Sequence, residues 1–223
     1  MGIRAGSLEF IHDAMDKVNK NYSKIVMCEL GNQVIRGSGV TVAKNYTDCE
    51  DFKEFPSKAY FGALDIEHVS FDLNGKDGAI VFDLRTPLPE QFRGKFNIVT
   101  DVGTGEHINN QYMCFKNKHD LLKKGGISVN VLPLEGHWPG HCVYRYNESF
   151  FKEIANLCNY KILELKIQKV GTDKMVMCSL IKKDDKEFAT VDDFNGLSID
   201  VEDNSTTRDK NLYNYAYGNK KTD

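Results

Sequence analysis

The chain has 223 residues, 41% of them hydrophobic and 27% charged, with a formal net charge of −3. That length suits one α/β domain with room for an appendage, and the charge balance supplies no basic field for nucleic acid. No apolar run approaches the roughly 18 residues of a membrane span.

Leu8, Ile11, Met15 and Val18 recur at helical spacing and predict a first amphipathic helix behind a Ser7 cap. Residues 24–29 read as a buried strand that ends in the turn Leu30-Gly31-Asn32-Gln33. Residues 34–57 are punctuated by Gly37, Gly39, Asn45, Asp48 and Pro56, and are expected to form a loop or short helices over the strand ends. Tyr60, Phe61 and Leu64 mark one side of a helix ending near Leu64. Residues 67–72 are the next strand, 74–78 a turn, and 79–83 a short strand.

The centre of the chain is clearer. Phe96 to Val102 is short, apolar and β-branched, as a strand buried on both faces should be. A glycine loop follows at Gly103–His107. Ile108, Tyr112, Phe115, His119 and Leu122 then predict a helix, stopped by Gly125 and Gly126. Residues 127–132 form a second buried strand. A strand, loop, helix, strand unit implies parallel strands. Beyond a loop at 135–146, a helix is expected over 149–158, and two late strands over 161–169 and 175–181 form an antiparallel hairpin around Gly171. From Lys182 the chain turns polar, although Val191, Phe194, Leu197 and Ile199 remain available to pack. The expected organisation is one domain over residues 1–183 and a polar, partly flexible extension over 184–223 that includes Tyr213, Tyr215 and Tyr217. The fold class is α/β: a Rossmann-like, mostly parallel sheet with helices on both faces and a C-terminal antiparallel hairpin.

Six cysteines, Cys28, Cys49, Cys114, Cys142, Cys158 and Cys178, form no Cys-x-x-Cys pair, which predicts a reduced chain without disulfides. The first residues lack the apolar core of a secretory leader, so a cytoplasmic location is expected. Met1-Gly2 with Gly6 and Ser7 only brushes the myristoylation pattern.

The candidate chemistry lies at strand ends. Glu29, Asp72 and Asp83 end three successive predicted strands, and Asp101 ends the next. Ligands of open α/β sheets bind outside the carboxyl ends of the strands, where a carboxylate can take both hydroxyls of a ribose. Each acid alone reads more readily as a solvated or capping residue; their repetition points to a nucleoside. Gly31 allows close approach of a ligand to the backbone.

This arrangement resembles the class I S-adenosylmethionine-dependent methyltransferases, of the broad methyltransferase-11/12-like group, over residues 24–181. Glu29-Leu30-Gly31-Asn32 resembles the family's first motif, with one glycine where two or three are usual. Val69-Ser70-Phe71-Asp72 looks like the second strand with its ribose acid, and Val81-Phe82-Asp83-Leu84 like the adenine-side motif. Phe96 to Asp101 with Glu106-His107 looks like the fourth strand and the mouth of the site. Leu122-Lys123-Lys124-Gly125-Gly126 resembles the family's Leu-Lys-Pro-Gly-Gly turn. The segment between Asp72 and Asp83 is too short for the family's usual helix, and residues 34–57 are longer than usual and read as a lid or substrate loop.

The resemblance implies S-adenosyl-L-methionine as cofactor, held by Glu29, Gly31, Asn32, Asp72, Leu73, Asp83, Leu84, Asp101, Val102 and Gly103. It implies methyl transfer to a small-molecule acceptor, at oxygen. Histidine titrates near neutrality, so His107 and His141 are the base candidates, with loop hydrogen bonding as their alternative role. Glu106, His137, Trp138, Tyr144 and Arg145 are the candidate acceptor contacts, Arg145 pairing with an acidic substrate group or with Glu148. His119 reads as a packed or capping residue. No metal is expected: Pro139 and Gly140 interrupt His137–His141, His107 and His119 are too far apart on one helix, and ligands would have to converge from separate segments. A non-catalytic binding or regulatory protein on the same fold is the rival reading. An NAD-dependent oxidoreductase is a third, which lacks its three-glycine turn.

Overall fold

The computed structural model describes residues 2–48 and 53–201. Helix α1 (Ala5–Val18) precedes strand β1 (Val26–Leu30). Strand β2 (Val34–Arg36), helix α2 (Ser38–Ala43), strand β3 (Glu54–Pro56) and helix α3 (Ser57–Ala63) follow. Strand β4 (Glu67–Asp72) leads through a single 3-10 turn to the two-residue strand β5 (Ile80–Val81). Then come β6 (Phe96–Val102), α4 (Gln111–Leu121), β7 (Leu122–Pro133), β8 (Tyr144–Arg145), α5 (Glu148–Leu157), β9 (Tyr160–Val170), β10 (Asp173–Lys182), α6 (Val191–Asn195) and β11 (Asp200–Val201).

Seven strands make one sheet in the order β5-β4-β1-β6-β7-β10-β9. From β5 to β7 every neighbouring pair is parallel, and β10 runs antiparallel to both β7 and β9. The sequence dictates the centre. Every residue of β6 is buried. Ile98 and Val102 enter the core beneath α1, α2 and α3, while Val99 enters a separate core with Cys114 and Leu121 of α4. This period-two alternation of apolar residues on both faces is what a strand covered by helices on either side requires. A third cluster packs Phe150, Phe151 and Ile154 of α5 against Val176, Cys178 and Leu180 of β10, with Phe188 and Phe194 also buried there. Residues 184–201 are thereby tied to the sheet, with Leu197 and Ile199 on the same cluster and Val191 48% exposed.

The hairpin, the strand of 96–102 and the strand of 67–72 stand where the sequence puts them. Three local readings are corrected. Ser7 lies inside α1, whose N-cap is Arg4; the exposed amide of Ala5 donates instead to Ser38 Oγ at 3.3 Å. Gly125 and Gly126 do not stop α4. That helix ends at Leu121, because Leu122 already pairs with Phe96 in the sheet, and 123–126 bulge before Ile127 rejoins Ile98. Residues 34–48 and 53–57 are not a lid: Ile35, Val40, Val42 and Ala43 are core residues alongside α1. Cys28, Cys114, Cys158 and Cys178 are free and buried, Cys142 is buried, and Cys49 lies outside the described residues, as do the tail tyrosines. No helix among the described residues is long and apolar enough to cross a membrane.

Candidate functional site

The loops after β1, β4, β5, β6 and β7 leave the carboxyl ends of parallel strands on one edge of the sheet. At the first, Gly31 adopts φ +80°, a left-handed conformation that glycine takes without strain. A Cβ there would meet Thr104 Oγ1 at 2.3 Å. The Thr104 hydroxyl donates to the Leu30 carbonyl at 2.9 Å and accepts from Gln33 Nε2 at 3.1 Å, so the β1 and β6 loops are stitched together across the site.

Glu29 lies beneath this turn and is fully buried. Its Oε2 accepts from Ser57 Oγ at 2.6 Å and from the Gln33 amide at 3.2 Å, and its Oε1 has no hydrogen-bond partner. Burial pushes its carboxyl up to about 7, opposed by the Ser57 and Gln33 hydrogen bonds and reinforced by the charge of Asp72. The His68 imidazole stands 3.7 Å away, stacked on Phe61 and held neutral by burial.

Asp72 ends β4 and is half-buried. It accepts from the Asn32 amide at 2.8 Å and the Asn74 amide at 2.9 Å. Each carboxylate oxygen has a further lone pair for a ligand hydroxyl. Asn32 Nδ2 donates to Asp77 at 2.7 Å, and Leu73 is half-buried beside Asp72.

Asp83 is engaged by its neighbour. Arg85 grips both of its oxygens, Nε to Oδ1 at 2.9 Å and Nη2 to Oδ2 at 2.7 Å. Leu84 is 4% exposed and packs in the core with Cys28 and Phe71.

Asp101 and Val102 face inward. Val102 is a core residue, and Asp101 is fully buried, with Oδ1 accepting from the Gly105 amide at 2.9 Å and Oδ2 bound to Lys118 Nζ at 2.8 Å. Lys118 also donates to Asn130 at 2.9 Å. Asp101 therefore shapes the Gly103–His107 loop from beneath and offers no open face to a ligand. Gly103, at φ +72°, anchors that loop through its amide to the Val131 carbonyl at 3.1 Å.

Glu106, His107 and His141 converge from two loops. Their ligand-type atoms all lie within 4.8 Å of one another. The two imidazoles stand 5.3 Å apart and nearly perpendicular, and Trp138 flanks His141 at 5.3 Å. Glu106 is fully buried, and neither oxygen has a hydrogen-bond partner of normal geometry among the described residues; burial and then the neighbouring Asp101 charge push it up to about 8. Burial, then the positive field of His141, pushes His107 down to about 3, which keeps its ring neutral and makes it a weak proton acceptor.

The β7 loop holds this arrangement. Trp138 sits at φ +60°, a strained conformation for a bulky residue. Its amide donates to Asp173 at 2.9 Å and its indole to the Lys174 carbonyl at 2.7 Å. His137 leans toward Asp173 at 3.8 Å, away from the cluster. Tyr144 donates to the Asn109 carbonyl at 3.0 Å. Arg145 pairs with Asp200 at 2.7 Å and not with Glu148, because β8 lies against β11. An open groove of about 760 Å³ adjoins these loops, lined by Arg85, Asn109, Tyr112, Tyr144, Leu197 and Ile199 among others. His119 is a packed residue, bound to Tyr160 and the Lys186 carbonyl.

Sequence reasoning missed Gln33, Ser57, Thr104, Lys118 and Asn130. Only Lys118 carried a signal: a cation one turn from Cys114 and Phe115 on the apolar side of a helix implies a buried partner.

The strand order, with its single reversed strand between the fifth and sixth parallel ones, defines the fold of class I S-adenosylmethionine-dependent methyltransferases. Solved structures agree. The chain is similar to a 1,6-didemethyltoxoflavin N1-methyltransferase of Burkholderia thailandensis, with bound S-adenosylhomocysteine, at 12% identity and a TM-score of 0.57 over 81% of this chain and 80% of that one. It is also similar to a candidate methyltransferase of Bacillus halodurans (11% identity, TM-score 0.51, 81% and 100% covered). A candidate S-adenosylmethionine-dependent methyltransferase of Listeria monocytogenes gives 12% identity and a TM-score of 0.51, with 80% and 99% covered. No family model and no curated protein matches the chain.

Proposed function

We propose that the protein transfers a methyl group from S-adenosyl-L-methionine to the oxygen of a small-molecule acceptor. The observation that carries this reading is the union of the methyltransferase strand order with a left-handed Gly31 beside Asp72 at the carboxyl ends of β1 and β4. The residues fit the cofactor. Asp72 takes the ribose hydroxyls, with Asn32 and Leu73 beside it. Gly31 and Gly103 admit the ligand close to the backbone, and Leu84 backs the adenine side. Glu29 receives the ammonium of the methionine end, which suits its unpartnered Oε1. When bound, the cofactor supplies an electrophilic methyl group. The chain supplies position: it brings the acceptor oxygen in line with that methyl and excludes water. The acceptor enters the groove between Tyr112 and Tyr144, a volume suited to a small molecule, with the Glu106–His107–His141 cluster beside its hydroxyl, whose proton leaves to solvent. His137, Trp138 and Arg145 shape the entrance.

Calorimetric titration with S-adenosylhomocysteine tests this. The wild type binds, and Asp72→Ala abolishes binding while keeping the fold. No binding by folded wild type refutes the proposal. One observation favours a second reading, a non-catalytic binding protein on this fold: the Arg85 clamp occupies the acid on the adenine side. That reading expects no turnover with any acceptor from a broad hydroxyl panel.

A further inference from the structure

The Glu106–His107–His141 cluster has the composition of a metal centre. It offers one carboxylate oxygen and two imidazole nitrogens, from the loops after β6 and β7. Both Glu106 oxygens are buried, and neither has a hydrogen-bond partner of normal geometry among the described residues. A buried carboxylate without a partner is costly, and chains keep one chiefly where something else satisfies it. Lys118, whose charge reaches Glu106, does not: it is spent on Asp101 and Asn130.

We propose that Glu106, His107 and His141 bind one divalent transition-metal ion at the mouth of β6. Two imidazoles and a carboxylate are the donor set of zinc and of the other late first-row divalent ions. Three protein ligands leave a position open, as in centres that act on a substrate oxygen rather than only brace a fold. The geometry is close. Bonds of about 2.1 Å in a tetrahedron put ligand atoms about 3.4 Å apart. Glu106 Oε1 and His107 Nε2 are 3.8 Å apart, and no pair exceeds 4.8 Å. Side-chain rotation alone closes that difference.

The surroundings hold the ligands for this use. Gln111 Nε2 donates to the Gly105 and Ile108 carbonyls, each at 2.7 Å, and Tyr146 donates to Gln111 Oε1 at 2.6 Å, so the Glu106–His107 turn is braced from behind. The strained Trp138, anchored to Asp173 and Lys174, fixes the His141 loop from the other side. Supports of this kind orient first ligands in metal centres. What the ion does rests on the methyl-transfer reading; whether it binds does not. On that reading, an acceptor hydroxyl on the open position releases its proton to solvent. Its oxygen lone pair then forms the bond to the methyl carbon as the carbon–sulfur bond breaks, leaving a neutral thioether.

The test uses the full chain, stripped with chelator and titrated with Co²⁺ by calorimetry and visible absorption, with Zn²⁺ in competition. One equivalent binds, with the d–d bands of a nitrogen-ligated, low-coordinate ion. Glu106→Gln, His107→Ala and His141→Ala each weaken binding about tenfold or more and bleach the bands, whereas His137→Asn leaves both unchanged. The isosteric Glu106→Gln guards against misfolding of the others. No stoichiometric binding by folded wild type overturns the proposal, as does binding that survives loss of either cluster histidine or depends equally on His137. S-adenosylhomocysteine is titrated in parallel. Cobalt bound without it upholds the metal centre and refutes methyl transfer; the reverse outcome overturns the metal centre alone.

Discussion

Glu29→Gln offers the sharpest physical test of the candidate cofactor pocket. In the folded chain the Glu29 carboxyl titrates at about 7, against an ordinary value of 4.5, because it is fully buried. The folded pKa is therefore raised above the unfolded one. The stability of the protonated form is fully present below about 4.5 and is lost as pH rises through about 7. A difference of roughly 2.5 pKa units at 1.36 kcal/mol each makes the ionised wild type less stable by about 3 kcal/mol at alkaline pH. Glutamine imitates the protonated acid. Its carbonyl keeps the bonds from Ser57 Oγ and the Gln33 amide, and its amide nitrogen takes the place of the Oε1 that has no partner now. Urea melts at about pH 5 and about pH 9 should show the two proteins within about 1 kcal/mol of each other at the lower value. At the higher value the variant should be ahead by about 3 kcal/mol, or roughly 6–12 °C in a thermal scan of a chain this size. A gain that does not depend on pH, or a loss at alkaline pH, refutes the buried-acid argument. On the proposed reading the same variant should also weaken S-adenosylhomocysteine binding, because the ligand's ammonium would lose the charge of Glu29. A site that is both a stability penalty and a binding determinant is the pattern of a functional group.

Three further predictions follow from other residues. Lys118→Met leaves Asp101 buried and uncompensated and should cost about 3–5 kcal/mol in urea unfolding, with Asp101→Asn added on top recovering part of the loss. Gly31→Ala meets Thr104 Oγ1 at 2.3 Å and forces a left-handed alanine, so stability should fall by more than about 1 kcal/mol. Adding Thr104→Ala should relieve only the clash, and full rescue would show that the backbone is not strained. On acidification, His12, His68 and His119 stay neutral in the fold down to about 4, since burial holds each below the ordinary 6.5. The unfolded chain takes up those protons first, so each histidine's contribution falls from about pH 6.5 to about pH 4, by up to about 3 kcal/mol; in Glu29→Gln/Glu106→Gln, which removes the opposing contribution of the two raised carboxyls, a flat urea-midpoint profile over that range would contradict it.

The parts of this molecule that were legible in the sequence are those where one local pattern decides one local structure. Phe96 to Val102 reads as a doubly covered strand, and with the loop, helix and strand that follow it implies the parallel pairing of β6 with β7. Gly31 and Asp72 were legible because turn chemistry and strand ends are local properties. Asp83 and Asp101 looked equivalent to Asp72 in the chain and are not, because what separates them is a partner. Arg85 lies two residues from Asp83, near enough to have been suspected, whereas Lys118 reaches Asp101 from a helix that only the tertiary fold brings there. The histidines show the same limit from the other direction. His107 and His141 are 34 positions apart, and spacing along one helix or loop says nothing of what the fold brings beside each of them. The parallel order of β6 and β7 supplies the proximity: both strands end on the same edge, so the loops after them face each other, and Glu106 is buried between them. Topology thus turns two unremarkable loops into one three-ligand constellation, while periodicity reports only on the strands that carry them.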